Sequence, residues 1–362
     1  GMQILEELPS ANMGEPEVLA DFLSYCNENF TADHRAIIFW NHGGGSVSGA
    51  SFDEIYDFDS IKIPELIQAL SATDTGNKYE LIGFDTCLMA TIDVADACDE
   101  FADYLVASEE LEPGCGWSYD TFMKKLVENT SINGAGLGKI ICDSYYEGCC
   151  EILQEDAATL SVIDLSKIPE LVAAYDSAGA EALIMAGSSD DSSYFNEVTR
   201  CAYSSENYGG NNDSEGYANM VDIGDFINNN IKEELLPASG ERVLTALDNA
   251  VIYKVNGPLR SDSCGLSCYY SYDGSYEGFT DFSELDTSPA FTYYFDYMLT
   301  GEPSAEMYEY ALQAAPEEYS KEDTISELTP LTTIDSKELE DFEIELGEDG
   351  FATLNLGKER AD

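Results

Sequence analysis

Two short phrases hold the residue types that could do covalent chemistry. One is Asn41-His42-Gly43-Gly44-Gly45, an imidazole followed by three glycines. The other is Gly83-Phe84-Asp85-Thr86-Cys87-Leu88-Met89-Ala90, a thiol two residues beyond a carboxylate. An imidazole serves as general acid or base, and a thiolate is a strong nucleophile. Glycines after the histidine let main-chain N–H groups approach a reacting oxygen closely. Each phrase follows a strand-like run, the wholly apolar Ala36–Trp40 and then Tyr79–Phe84. Such runs suit strands buried on both faces of a parallel sheet, and ligands collect at the carboxyl ends of such strands. Two adjacent parallel strands would bring His42 and Cys87 to one rim. A helix beginning just after Cys87 would lower its thiol pKa through the positive end of the helix dipole.

Less specific roles compete. A cysteine after a strand also serves as a small core residue, and a histidine in a glycine-rich loop can be structural. Asp85 can cap the following helix instead of meeting a ligand. His-Gly-Gly-Gly also occurs in esterase oxyanion loops, but that chemistry needs a G-x-S-x-G elbow, which the chain lacks. The only other histidine, His34, precedes the motif and reads as a surface residue beside Arg35.

The elements that must position these phrases alternate. Apolar spacing predicts a helix over Glu17–Asn29, the strand Ala36–Trp40, an acidic loop to Ser60 and a helix from near Pro64. The strand Tyr79–Phe84, a helical pattern to Phe101 and the strand Tyr104–Ala107 follow. Helices are expected around Asp120–Val127 and Gly136–Cys150, then the strand Leu160–Asp164 and a helix from Ser166. Further on come a loop at Asn207–Gly216, helices over Val221–Leu235 and Glu241–Ala250, and strands at Val251–Val255 and Gly265–Tyr270. Strand alternating with helix means an α/β fold around a mainly parallel sheet flanked by helices. Beyond Gly301 the chain turns Glu- and Ser-rich, and Phe342–Leu346 and Phe351–Leu356 alternate like strands of a small β-type extension.

Composition removes several function classes. The chain of 362 residues has 16 basic against 71 acidic residues, a net charge of −55. It offers no basic footprint for a nucleic-acid backbone or an anionic membrane, and it favours cationic partners. No apolar run approaches the roughly 20 residues of a membrane span. The ten cysteines are irregularly spaced, with a vicinal pair at Cys149-Cys150, and read mostly as core residues. With no CxxC pair and two histidines, a zinc site is not supported.

The phrases Ile38–Gly45, Ile82–Ala90 and Ala107–Tyr119 together resemble the clostripain family of cysteine peptidases. Asn12-Met13-Gly14, Thr159–Leu165, Met220–Phe226 and Gly265–Tyr270 add to the likeness, in order, over residues 9–300. The resemblance implies a caspase-like three-layer sandwich over residues 2–300, with 301–362 as an acidic linker and the start of a β-type region. It also implies a further strand and helix ahead of the part that matches Asn12. His42 would be the catalytic histidine and Cys87 the nucleophile. The N–H groups of Gly43 and Cys87 would form the oxyanion hole. Asp85 would sit at the base of a pocket for Arg, and less often Lys. Thr86 replaces the family's alanine, and Cys115 stands where a second pocket acid would be sought. Glu110 and Glu112 are the nearby candidates for that role, and Trp117 is either a cleft wall or a core aromatic.

The chemistry needs no cofactor. Some family members depend on calcium, and Asn211, Asp213 and Glu215 resemble half a calcium loop, so structural or activating Ca²⁺ is an expectation without an assigned ligand set. The resemblance implies protein or peptide substrates and an extracellular or cell-surface bacterial setting. The rival reading is a catalytically silent acidic module that binds cationic partners on the same fold. Relatives mature by self-cleavage at a basic residue after the catalytic histidine. Here no Lys or Arg lies between His42 and Ile61, so that loop is expected to stay intact.

Overall fold

The computed structural model describes residues 4–73, 75–188, 193–212 and 214–319, together with the strands Ile344–Leu346 and Ala352–Leu354. Five strands form the central sheet: β1 (Ala36–Trp40), β2 (Tyr79–Asp85), β3 (Ala102–Ala107), β4 (Thr159–Asp164) and β5 (Val251–Asn256). Their order across the sheet is their order in the chain. β1, β2 and β3 are parallel, whereas β4 runs antiparallel to both β3 and β5. The parallel part is thus the part that carries both motifs.

Side chains alternate between the two faces with the strand period of two. Ile82, Phe84, Leu105 and Ala107 join one core, which includes the helices Ile63–Ala72, Ile92–Asp99 and Ile168–Gly187. Leu81, Val106, Leu160 and Val162 join the other, beneath the helices Tyr119–Glu128 and Gly134–Tyr146. Helices therefore cover both faces, giving the three layers expected. β1 departs from its apolar sequence. It is an edge strand with Ala36 and Trp40 exposed, and only Phe39 is buried, stacked on Phe84 at 4.8 Å.

A second, three-stranded sheet places Met220–Asp222 between Ser267–Tyr269 and Asn207–Tyr208. This corrects the helix expected from Val221. Asp222 ends the strand and caps the helix Ile223–Lys232, its side chain accepting from Asp225 N at 2.7 Å. Past residue 300 the chain first forms another helix, Ala305–Ala314, which packs on Ile168–Gly187. Tyr310 ties it down by donating its hydroxyl to Asp176 Oδ2 at 2.9 Å. The two expected C-terminal strands pair with each other as an antiparallel hairpin.

Candidate active site

Strand register sets the rim. Trp40 on β1 pairs with Asp85 on β2, so His42 and Cys87 each lie two residues beyond a matched pair. Backbone bonds fold the histidine loop tightly: Ser51 N donates to His42 O at 3.0 Å and Gly44 N to Gly49 O at 2.8 Å. Gly43 lies against the Cys87 main chain. A Cβ there would sit 2.1 Å from the Cys87 carbonyl oxygen, so only glycine permits the approach. Thr86 Oγ1 would lie 2.7 Å from the same Cβ, which places this buried hydroxyl beneath the histidine loop.

Cys87 is half-buried, and its Sγ accepts from Glu112 N at 3.2 Å. Burial pushes the thiol up, the Glu112 N–H opposes that shift, and the Glu110 carboxylate adds to it. The helix expected immediately after Cys87 begins only at Ile92, where Thr91 accepts from Val94 N at 3.1 Å. The lowering of the thiol by a helix dipole is therefore overturned, and Asp85 caps no helix. Leu88 fills the gap with a left-handed backbone at φ 64. That conformation costs about 1–2 kcal/mol in an L-residue. Hydrogen bonds from Leu88 N to Glu110 O and from Ala90 N to Ser108 O hold it.

Beside the thiol lies a buried acidic pair. Trp117 N donates to Asp85 Oδ1 at 3.1 Å, and its indole Nε1 to Glu112 Oε1 at 3.2 Å. Trp117 is buried in the core, with its ring over Gly83 of β2. Burial holds Asp85 above the usual carboxylate range, against hydrogen bonds from Tyr119, Glu112 and the Trp117 N–H. Burial and then the Asp85 charge push Glu112 well above its usual range. Asp85 Oδ2 and Glu112 Oε2 are each buried without a well-formed hydrogen bond. A recess of about 540 Å³ opens on the other side of the rim, lined by His42, Met13, Trp40, Phe52, Glu54 and Ile55.

A family model described as the clostripain family matches residues 3–297. The chain belongs to the clostripain family. Clostripain of Hathewaya histolytica is 32% identical over 134 residues, a match covering 32% of this chain and 25% of that protein. Among solved structures, an inactive zymogen C11 protease from Parabacteroides distasonis aligns with TM-score 0.58 at 20% identity, over 79% of each chain. A secreted C11 cysteine protease from Bacteroides thetaiotaomicron, solved with an irreversible peptide inhibitor, gives 0.54 at 19% identity. It covers 75% of this chain and 79% of its own. These two likenesses show the fold.

Within this clostripain-family site, the expected residues separate into two groups. Gly43 packs against Thr86 and the Cys87 main chain, His42 lies exposed on the same rim and lines the recess, and Asp85 and Trp117 meet behind it. Glu110 belongs to neither. Its Oε1 accepts from Leu111 N at 2.7 Å and Gly209 N at 3.0 Å, and its Oε2 pairs with Arg260. Glu112 takes the place beside Asp85. Sequence spacing did not decide between Glu110 and Glu112, because turning one of them inward depends on how the loop after β3 folds. His34 lies on the surface with Nδ1 2.6 Å from Glu80 Oε1. Two residues of the half calcium loop have partners within the protein. Asn211 is buried with its Oδ1 accepting from Asn219 N at 2.8 Å, and Glu215 accepts from Asn212. Asp213 lies outside the described residues.

Proposed function

We propose that this clostripain-family chain is a cysteine endopeptidase that cuts after Arg, and less often Lys. The observation that carries the reading is the buried Asp85–Glu112 pair beside a thiol that shares its rim with an imidazole. Cys87 Sγ attacks the scissile carbonyl, and the N–H groups of Gly43 and Cys87 hold the developing oxyanion. His42 takes the Cys87 proton and gives it to the leaving amine, then takes a proton from the water that attacks the acyl group and returns it to the departing thiolate. In the Gly43–Ala50 bridge the bonding N–H groups belong to Gly44 and Ser51, which leaves Gly43 N–H for substrate. The substrate cation enters beside Trp117 and meets Asp85 and Glu112 through charge-assisted hydrogen bonds. Its charge favours the ionised carboxyls and opposes the burial that raises both.

The surrounding surface supports a cationic substrate, since a net charge of −55 raises the local concentration of positive peptides. Among the described residues no helix is long and apolar enough to cross a membrane. We place the protein outside the bacterial cell, since the similar protease of Bacteroides thetaiotaomicron is a secreted one. A fluorogenic arginyl amide with a Cys87→Ala control tests the proposal. Turnover lost in the variant, and absent with a norleucyl amide, is expected. Ester or amide turnover that survives loss of Cys87 would overturn it.

A further inference from the structure

We propose that Cys115 and Cys149 form a reversible disulfide that fastens the pocket loop, Pro113–Trp117, to the helical segment behind it. Their Sγ atoms are 3.0 Å apart, against about 2.05 Å in a disulfide, so a movement of about an ångström joins them. The two thiols come from different elements. Cys115 is exposed at the tip of the loop after β3, and Cys149 is buried in the π-helical turn Glu147–Ile152. This uncommon π-helical turn ends the helical run that begins at Gly134. Neighbouring thiols have other partners: Cys150 donates to Glu155 O at 3.4 Å and Cys142 to Leu160 O at 3.7 Å.

The bond would act on the pocket directly. Gly116, next to Cys115, has φ 61, and a Cβ on it would stand 3.1 Å from Asp85 Oδ1. Trp117 follows, with its bonds to Asp85 and Glu112. Joining Cys115 to Cys149 therefore fixes the wall that faces both acids in the geometry seen here. This consequence rests on the peptidase reading; the disulfide does not.

A low-molecular-weight disulfide such as oxidised glutathione is the oxidant. The Cys115 thiolate attacks one of its sulfurs, forming a mixed disulfide and expelling one glutathione thiolate. Cys149 loses its proton to that thiolate and attacks Cys115 Sγ, expelling the second. Two protein thiols are oxidised and one glutathione disulfide is reduced to two thiols. Exposure sets the order, since burial pushes the Cys149 thiol up.

The test uses the full chain carrying Cys87→Ala, which removes the catalytic thiol. It is equilibrated over a range of oxidised-to-reduced glutathione ratios, alkylated, digested without reductant and mapped by mass spectrometry. The expected result is a Cys115–Cys149 cross-link that rises with the ratio and vanishes in Cys115→Ser. Cys115 found only as a glutathione adduct, or Cys149 joined to Cys150, would overturn the pairing. An arginine-terminated peptide should bind the oxidised form about three- to tenfold more tightly than the reduced form, because the wall is preorganised. A cross-link with unchanged affinity for that peptide would overturn the fastening. Equal binding of arginine and norleucine peptides would instead count against the peptidase reading and leave the disulfide standing.

Discussion

At the residue scale, the dyad and the acid pair make separate claims. On the proposed reading Cys87 and His42 act as one unit, so alanine at either should lower kcat/KM for an arginyl substrate by at least about 10³-fold, and the double variant little further. A His42→Ala enzyme near wild-type rates would contradict this. The acid pair costs stability as pH rises. Unfolded, Glu112 titrates at about 4.3. Folded, it titrates well above its usual range, because of burial and then Asp85. Between those values the folded chain keeps the proton. The site's contribution to stability is therefore full below the unfolded value and is lost as pH rises through the folded one. Glu112→Gln should raise the Tm at neutral pH and flatten its pH dependence, while KM for arginyl substrates rises about tenfold or more through a lost charged hydrogen bond. A Tm that falls at neutral pH would show Glu112 to be a stabilising core acid. Asp85→Asn should likewise cost Arg selectivity more than iodoacetamide reactivity at Cys87, and parallel loss of both would make Asp85 structural.

At the element scale, the strands were easier to read than the turns between them. Strands β1 and β2 announce themselves by apolar runs, so the shared rim of His42 and Cys87 was legible before any coordinates. The turn after β2 was not. Leu88 is an unremarkable residue in an uncommon conformation, and nothing in its type reports the left-handed backbone that delays the helix to Ile92. The same limit hid the contact between Cys115 and Cys149, which lie on elements whose approach depends on packing. The loop after His42 is well tied. It holds the pair Ala50–Asp53 and Asp59–Ile61, and Asp53 accepts from Met13 N at 3.0 Å. Lys62 beyond it pairs with Asp281 at 3.1 Å. Self-cleavage needs an extended, locally unfolded segment with a basic residue, and Gly43–Ile61 supplies neither. N-terminal sequencing after prolonged incubation should find no new terminus there. A cut present in wild type and absent from Cys87→Ala would show the specificity or the loop assignment to be wrong.

At the scale of the whole molecule, the alternation of strand and helix was enough to indicate a three-layer α/β fold, but not where its helical layer ends. Residues past 300 read as an acidic linker because Glu and Ser dominate them. Yet Met307 and Ala311 sit at helical spacing and are buried against Ile168–Gly187. Truncation after Gly301 should therefore lower the Tm by at least about 4 °C, a shift worth roughly 3 kcal/mol in a chain of 362 residues. An unchanged Tm would return that segment to linker status. The central claim joins all three scales: one rim, one thiol and one buried acid pair select a basic side chain for cleavage. Its most direct test is mass-spectrometric mapping of every cut made in a proteome-derived peptide library by wild type and by Cys87→Ala. The account predicts cuts after Arg, fewer after Lys, and none from the variant. Cuts after uncharged residues, or the same cuts from the variant, would contradict it.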